Sequence, residues 1–498
     1  MICSNRSMKQ PSKIPTAIVS LLGCWGLSFT GFAQPLTPDD FDPVRYYLTS
    51  SGVYQAYSVV PLTNRMLLVG SEGQDGHGYV DQLNKVYDDG TRVEHFDSRI
   101  RGACTSTFYT LNCTIPRIFA IAELPDGKVL AGGHFDLVDG APQKSLARHT
   151  PAGLIDSTFS PPELDGDVHC IAVLDDGKIL IGGAFTLADG LSHRRVARLL
   201  PDGRLDPSFN GGVGSFDHNY TVAVRSLALQ SDGKIVIGGT YNGNSSIARL
   251  NSDGSLDSSF SAQIGNVACL IAEPDGKILV GGGFTSVNGI ARSCLARLNS
   301  DGSLDPSFTA EANDRVDTMI RQADGRFLIG GQFSTIGGVA QATVARLSSD
   351  GIVDAGFNIT VQNKDFVGML SAGFVRGLSL QHNGAVLVAG QFGHVNGFDR
   401  IHVARIPNDT ASTQDLQISP SGQIDWLRGG SAPEVDQVVF EIWNDDHWDF
   451  LVSPNRVLGG WQATAGSLPA YGWVRARGRA AAGFQNGSSM IVEHGLII

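Results

Sequence analysis

Ten and eight residues ahead of a recurring turn glycine, the chain sets residues of mixed charge: Asp167 and His169, Ala223 and Arg225, Asn266 and Ala268, Arg315 and Asp317, Phe374 and Arg376. Carboxylates, an imidazole and guanidiniums that share a slot but differ from copy to copy suit a ligand-binding rim, because contacts with a ligand vary where a scaffold repeats. An ordinary solvated rim would show the same mixture. Catalysis finds less support. His169 has no serine or cysteine partner recognisable by motif, no His-x-x-x-His or Cys-x-x-Cys metal spacing occurs, and no phosphate-cradling glycine loop precedes a helix. The sequence therefore predicts no catalytic residue, no metal site and no cofactor. A polysaccharide hydrolase or lyase remains the alternative, and it would need two carboxylates and a histidine gathered on one mouth.

A second slot holds a cation in every copy: Lys85, Arg148, Arg198, Arg249, Arg297, Arg346 and Arg405. An acid follows in five of them, at Asp156, Asp206, Asp257, Asp305 and Asp354. A cation ring could take a polyanion, but an Arg and an Asp facing each other across a tight turn form the simpler cross-strand pair, so the ring is predicted to be structural. Calcium would need oxygen ligands at loop spacing. The clusters Asp445, Asp446, Asp449 and Glu72, Asp75, Asp81 lack that spacing and read first as turn chemistry, with calcium as the weaker alternative.

These residues are positioned by a repeat. Turn glycines at 127, 177, 233, 276, 325 and 384 are each followed, eight residues on, by an aromatic: Phe135, Phe185, Tyr241, Phe284, Phe333 and Phe392. A degraded copy precedes them, with Asn64-Arg65 standing for Gly-Lys and Val69 for the first glycine of the Gly-Gly pair. Asp-Gly turns between apolar runs signal type I′ hairpins, and a second turn in most copies implies four strands each. The period then predicts an all-β, seven-bladed β-propeller, with the aromatic as a core wedge. Phe41-Asp42-Pro43 lacks inner strands and the seventh copy lacks an outer one, so residues 36–48 are predicted to close the ring. The units Asp-Gly-Lys-Ile-Leu-Ile-Gly-Gly-Ala-Phe-Thr (176–186) and Ala-Arg-Leu-Asn-Ser-Asp-Gly-Ser-Leu-Asp-Pro-Ser-Phe (296–308) resemble the delta-60 repeat family of bacterial exported propellers, a resemblance that covers roughly 36–408 and implies a fold and a secreted location but no reaction.

From about residue 412 the period stops. Trp426, Trp443, Trp448, Trp461 and Trp473 all lie in this tail, whose short strands predict an immunoglobulin- or fibronectin-like β-sandwich over 411–498 that resembles a module following such repeats. Trp443 and Trp448 bracket a hairpin and could stack on sugars if exposed. Residues 1–33 read as a signal peptide cut near Ala33, with a weak lipoprotein box at Cys24. Its loss removes Arg6, Lys9 and Lys13 and no acid, taking the net charge from −12 to −15, which argues against nucleic acid. No other stretch is apolar enough to span a membrane. Cys104 and Cys113 flank an insertion and could form a disulfide; Cys170 and Cys269 occupy one slot for small residues and read as core, and Cys294 is unassigned. The sequence thus predicts an exported, monomeric, non-enzymatic scaffold, with the propeller over 34–410, that binds an extracellular or envelope protein or glycan; a structural cell-surface protein is the other alternative.

Overall fold

The computed structural model describes residues 53–498 apart from 65, 74–82, 89–90, 92, 94–95, 97, 99, 102–103, 107–110, 114, 194, 212–222, 241–245, 365–369 and 470. The expected signal peptide, the segment 36–48 expected to close the ring, and Tyr241 lie outside these. The described residues pack as one compact unit, and all regular structure among them is strand.

Seven three-stranded antiparallel units carry the repeat. Their inner strands are Val53–Pro61, Arg117–Glu123, Val168–Val173, Ala223–Leu229, Val267–Ala272, Val316–Arg321 and Phe374–Leu380, and they are numbered units 1 to 7 in that order. In unit 3 the inner strand pairs with Ile179–Gly183, which pairs with Val196–Leu199. The middle strand is buried throughout, as a strand covered on both faces must be, and this explains its unbroken apolar run. In units 2 to 6 the expected fourth strand is reduced to one bridge across the outer turn, for example Leu199 to Leu205 and Leu298 to Leu304. The Asp residue that follows each of these bridges turns inward to meet the cation slot instead of extending a ladder.

Turn types also differ from expectation. In the first hairpin of unit 2 only Gly127 has positive φ, at 76°, and its N–H donates to Leu124 O, which is a type I turn closed by a left-handed glycine. The type I′ pairs lie in the middle loops, where Asp139-Gly140 and Asp189-Gly190 both have positive φ. In unit 1, Leu62 N donates to Met66 O where unit 2 joins Leu124 to Lys128, so this copy runs one residue later than the Asn64 reading. Gly70 then holds the first glycine slot, and Ser71 replaces the second.

Apolar clusters lie between successive units. Leu180 of unit 3 packs with Leu227 of unit 4, Leu279 of unit 5 with Met319 of unit 6, and Val59 and Leu67 of unit 1 with Leu387 and Val403 of unit 7. The described wedge aromatics Phe135, Phe185, Phe284, Phe333 and Phe392 are all buried. Among the described residues no sheet closes on itself, yet Ser379 of unit 7 donates to Val59 O of unit 1 at 2.7 Å.

The tail forms two sheets. Ser412–Ile418, Gln423–Gly430, Gly460–Thr464 and Asn455–Val457 make one; Asp436–Asn444, His447–Val452, Trp473–Phe484 and Ser488–Ile497 pair in the other. Leu416, Ile424, Trp426, Phe440, Val474 and Val492 are buried in one apolar cluster, which they share with Val60 and Leu68 of unit 1 and Ile121 and Phe135 of unit 2. The tail rests on the turn side of the repeats, where Ala323 N donates to Ala432 O. Its last hairpin continues beyond the tail and hydrogen-bonds the inner strands of units 2 and 7.

Candidate functional site at the mouth of the repeat ring

Each of the seven inner strands has a β-bulge at the same place. In unit 3 Val168 pairs with Gly183 and Cys170 with Gly182, so His169 is the extra residue. The corresponding residues are Tyr57, Phe119, Arg225, Ala268, Asp317 and Arg376. A bulge re-aims its side chain, so this slot is presented differently from the buried residues beside it. The Gly-Gly pair permits it. A Cβ on Gly183 would stand 1.9 Å from the Asp167 carbonyl oxygen, and one on Gly182 would stand 2.8 Å from Val224 of the next unit. The second glycine therefore makes room for the bulge, and the first for the neighbouring strand.

The slot lies at the end of the inner strand opposite the tail. Going round it, Tyr57 meets Phe119 edge-on at 5.2 Å, and Phe119 stacks on His169 at 4.7 Å with planes 4° apart. Burial, then the charge of Arg225, push the His169 imidazole down to about 4, so it is neutral near pH 7. His134 Nδ1 lies 2.7 Å from Asp167 Oδ1, and that hydrogen bond raises the histidine pKa. The other arc is cationic. Fully buried Asp317 lies 2.5 Å from Arg315 Nε, in an ion pair off hydrogen-bond alignment, and accepts from Arg376 Nη1 at 3.3 Å and Gln332 Nε2 at 3.1 Å. Burial and the neighbouring Arg315 push Arg225 down to about 10, which leaves it protonated.

Below this arc comes the tip of the last hairpin, which sequence reasoning had placed in a separate tail. Gln485, in the amide orientation that satisfies both ends, accepts from Arg225 Nη1 at 3.0 Å and Arg315 Nη2 at 3.1 Å. Asn486 Oδ1 accepts from Met319 N and its amide donates to Leu270 O, while Gly483 O accepts from Thr318. Ile171 N donates to Gly487 O and Ile121 N to Ser488 Oγ. Ser58 Oγ lies 3.3 Å from Ser488 Oγ, and Leu378 pairs with Gly483. The tip thus reaches the inner strand of every unit and satisfies main-chain groups that an axial channel would leave open.

Of the six residues expected at the mouth, Arg225, Arg315, Asp317 and Arg376 form one cluster, whereas Asp167 pairs with His134 and His169 with Phe119. Tyr57, Phe119 and Gln485 were missed. The slot count would have found the first two, given the correct register in unit 1 and its extension to unit 2.

The second cation slot points elsewhere. Arg297 Nε donates to Asp305 Oδ2 at 2.8 Å, Nη2 to Ser307 Oγ, and Nη1 to Ser349 O of unit 6, with the guanidinium 4.9 Å from the Phe308 ring centroid. Each slot cation reaches the next unit in this way: Lys85 to Pro151 O, Arg148 to Pro201 O, Arg198 to Ser252 O, Arg249 to Ser300 O and Arg346 to Asn408 and Asp409. Arg405 of unit 7 returns to Asp88 O of unit 1. Burial alone would raise the Asp206 and Asp305 carboxyls; serine hydrogen bonds and the paired Arg and Lys outweigh it and hold them well below the usual range.

Trp443 packs edge-on against Trp448, whose ring is covered by Arg475 at 4.2 Å. Asp446 and Asp449 flank His447 at 2.5 and 3.0 Å; Asp75 and Asp81 lie outside the described residues. Cys104 is the cross-strand neighbour of Cys113, and Cys170, Cys269 and Cys294 are buried free thiols. Among the described residues no helix is long and apolar enough to cross a membrane.

The repeats match the model of a domain of unknown function, DUF5122, described as a beta-propeller, over residues 124–159, 174–209, 230–260, 273–308, 322–357 and 381–409. No curated protein resembles the chain closely enough to count as a match. Among solved structures, a structural genomics protein of unknown function from Bacteroides thetaiotaomicron is 14% identical, with 76% of this chain and 96% of that one covered at a TM-score of 0.27. A glycosyl hydrolase from Bacteroides ovatus is also 14% identical, covering 64% and 94% at 0.21. Prolyl oligopeptidase B from Galerina marginata is 9% identical, covering 78% and 56% at 0.24. Likenesses this distant say nothing about chemistry. The family match and the recurring strand units agree, and residues 124–409 belong to a β-propeller repeat family.

Proposed function

We propose that the chain is an exported, non-enzymatic binding protein built on a seven-bladed propeller of delta-60 type, with units 1 to 7 as blades and a C-terminal β-sandwich whose last hairpin plugs the axis. Its ligand, a glycan or protein outside the cytoplasm, is taken at the mouth ringed by the bulge residues. The observation that carries this reading is the bulge itself: one backbone irregularity recurs in all seven inner strands while the residue it presents changes from tyrosine to phenylalanine, histidine, arginine, alanine and aspartate. Packing demands the same residue at equivalent sites, whereas recognition demands different ones. Asp167 and Asp317, the mouth carboxylates in this slot pair, are each held by a cationic or histidine partner, which suits holding a ligand better than moving a proton.

A panel of extracellular polysaccharides and their oligomers tests this. Binding of one of them should be lost in the double variant His169→Ala, Arg376→Ala and kept in Trp443→Ala, Trp448→Ala. The opposite pattern would move the activity to the tail.

A further inference from the structure

The mouth carries more positive charge than its carboxylates balance. Arg225, Arg315 and Arg376 come from three units to the neighbourhood of one buried carboxylate, Asp317, in a chain whose net charge is −12. The Nε atoms of Arg225 and Arg376 lack a hydrogen-bond partner among the described residues, while that of Arg315 faces only the misaligned Asp317 Oδ1 at 2.5 Å. That contrasts with the second cation slot, where Nε, Nη1 and Nη2 of Arg297 all donate to protein oxygens. Buried donors are ordinarily satisfied, so incomplete donors in a charge-rich cluster point to an acceptor that comes from outside. Gln485, fully buried, sets a carbonyl oxygen between Arg225 and Arg315, where one oxygen of a carboxylate would fit, but it brings no charge. The tail hairpin fills the axis beneath, while the side chains of Arg315 and Arg376 stay about a quarter exposed.

We propose that the mouth binds an oxyanion group, a carboxylate, sulfate or phosphate, presented end-on to Arg225, Arg315 and Arg376. This rests on the reading of the mouth as the ligand site and specifies what that site recognises. Guanidinium forks match such groups geometrically, and three of them can hold three oxygens. Gln485 forms the floor, so tail docking and ligand binding share two arginines.

Thermal melting and calorimetry of the full chain test it, with sodium sulfate, phosphate and glucuronate compared with sodium chloride at equal ionic strength and with glucose. At least one oxyanion should protect saturably beyond chloride, and its half-saturating concentration should rise about tenfold or more in Arg225→Gln and Arg376→Gln, the worth of one charged hydrogen bond. A response to glucuronate alone identifies a sugar-borne carboxylate; a response to sulfate or phosphate identifies a tetrahedral group. Gln485→Glu supplies an internal anion, so it should melt above the parent at low salt and lose the response. Oxyanions that protect no better than chloride, or equally well in parent and arginine variants, overturn the proposal, as does a Gln485→Glu protein that melts below the parent. If glucose protects instead, and His169→Ala abolishes that, the mouth remains a ligand site and only the oxyanion proposal falls.

Discussion

A guanidinium with three directions to fill is a different object from a point charge, and the second cation slot uses all three. Arg297 holds its own Asp305 and Ser307 and also a carbonyl of the next unit. Replacing it with Ala should cost about 3 kcal/mol in urea unfolding, the usual range for one half of a buried pair, and Arg297→Lys should restore little of this. An unchanged midpoint would show that Lys277, 3.1 Å from Asp305, suffices alone. Glu123 gives a pH effect of opposite kind. Burial raises its carboxyl to about 7, against the hydrogen bonds from Thr63. A group that holds its proton more tightly when folded favours the fold most below its unfolded pKa, so stability should fall as pH rises from about 4.5 to 7, by up to about 3 kcal/mol. Glu123→Gln should flatten that slope; an unchanged pH profile would rule the group out. The Arg–Asp pairing was legible because both partners recur eight residues apart. The reach to the next unit was not, because its acceptor is main chain.

Glycines that look alike in sequence do unlike work in the strand units. Gly190 sits at φ 72° with open space around it, so Gly190→Ala should cost about 1 kcal/mol, the price of a left-handed alanine. Gly183 meets a carbonyl at 1.9 Å, so Gly183→Ala should cost about 3 kcal/mol and disturb the bulge at His169. Equal melting temperatures for the two variants would contradict this assignment. The apolar runs and turn glycines were enough to place the inner and middle strands. They could not separate a type I turn with a left-handed glycine from a type I′ turn, since Asp-Gly serves both. Nor could they show that the fourth strand shrinks to a bridge. The bulge left a trace, the second glycine of the pair, but its meaning depends on a carbonyl in the neighbouring strand. Ser71 at that position in unit 1 hid the true register of the first copy and with it Tyr57.

Between the repeats and the tail, composition marked a change of character at residue 412 but gave no sign of how the two engage. The partners of the last hairpin are main-chain groups, small polar side chains and two arginines spread over the seven units, and Gln485-Asn486-Gly487 reads as an ordinary turn. Deleting residues 473–498 should therefore do more than shorten the tail: the amides of Ile121, Ile171 and Met319 lose their acceptors, and their hydrogen exchange should speed up by orders of magnitude together with a lowered melting temperature. Unchanged protection at those three amides would remove the hairpin from the axis. Where the hairpin lies also sets an order of events in time. Synthesis runs from the N-terminus, so all seven units exist before the residues that fill their centre, and the growing chain passes through a hollow stage whose inner strands have unanswered donors and acceptors. That turn, made after all seven units and touching each of them, acts as a latch on the repeats.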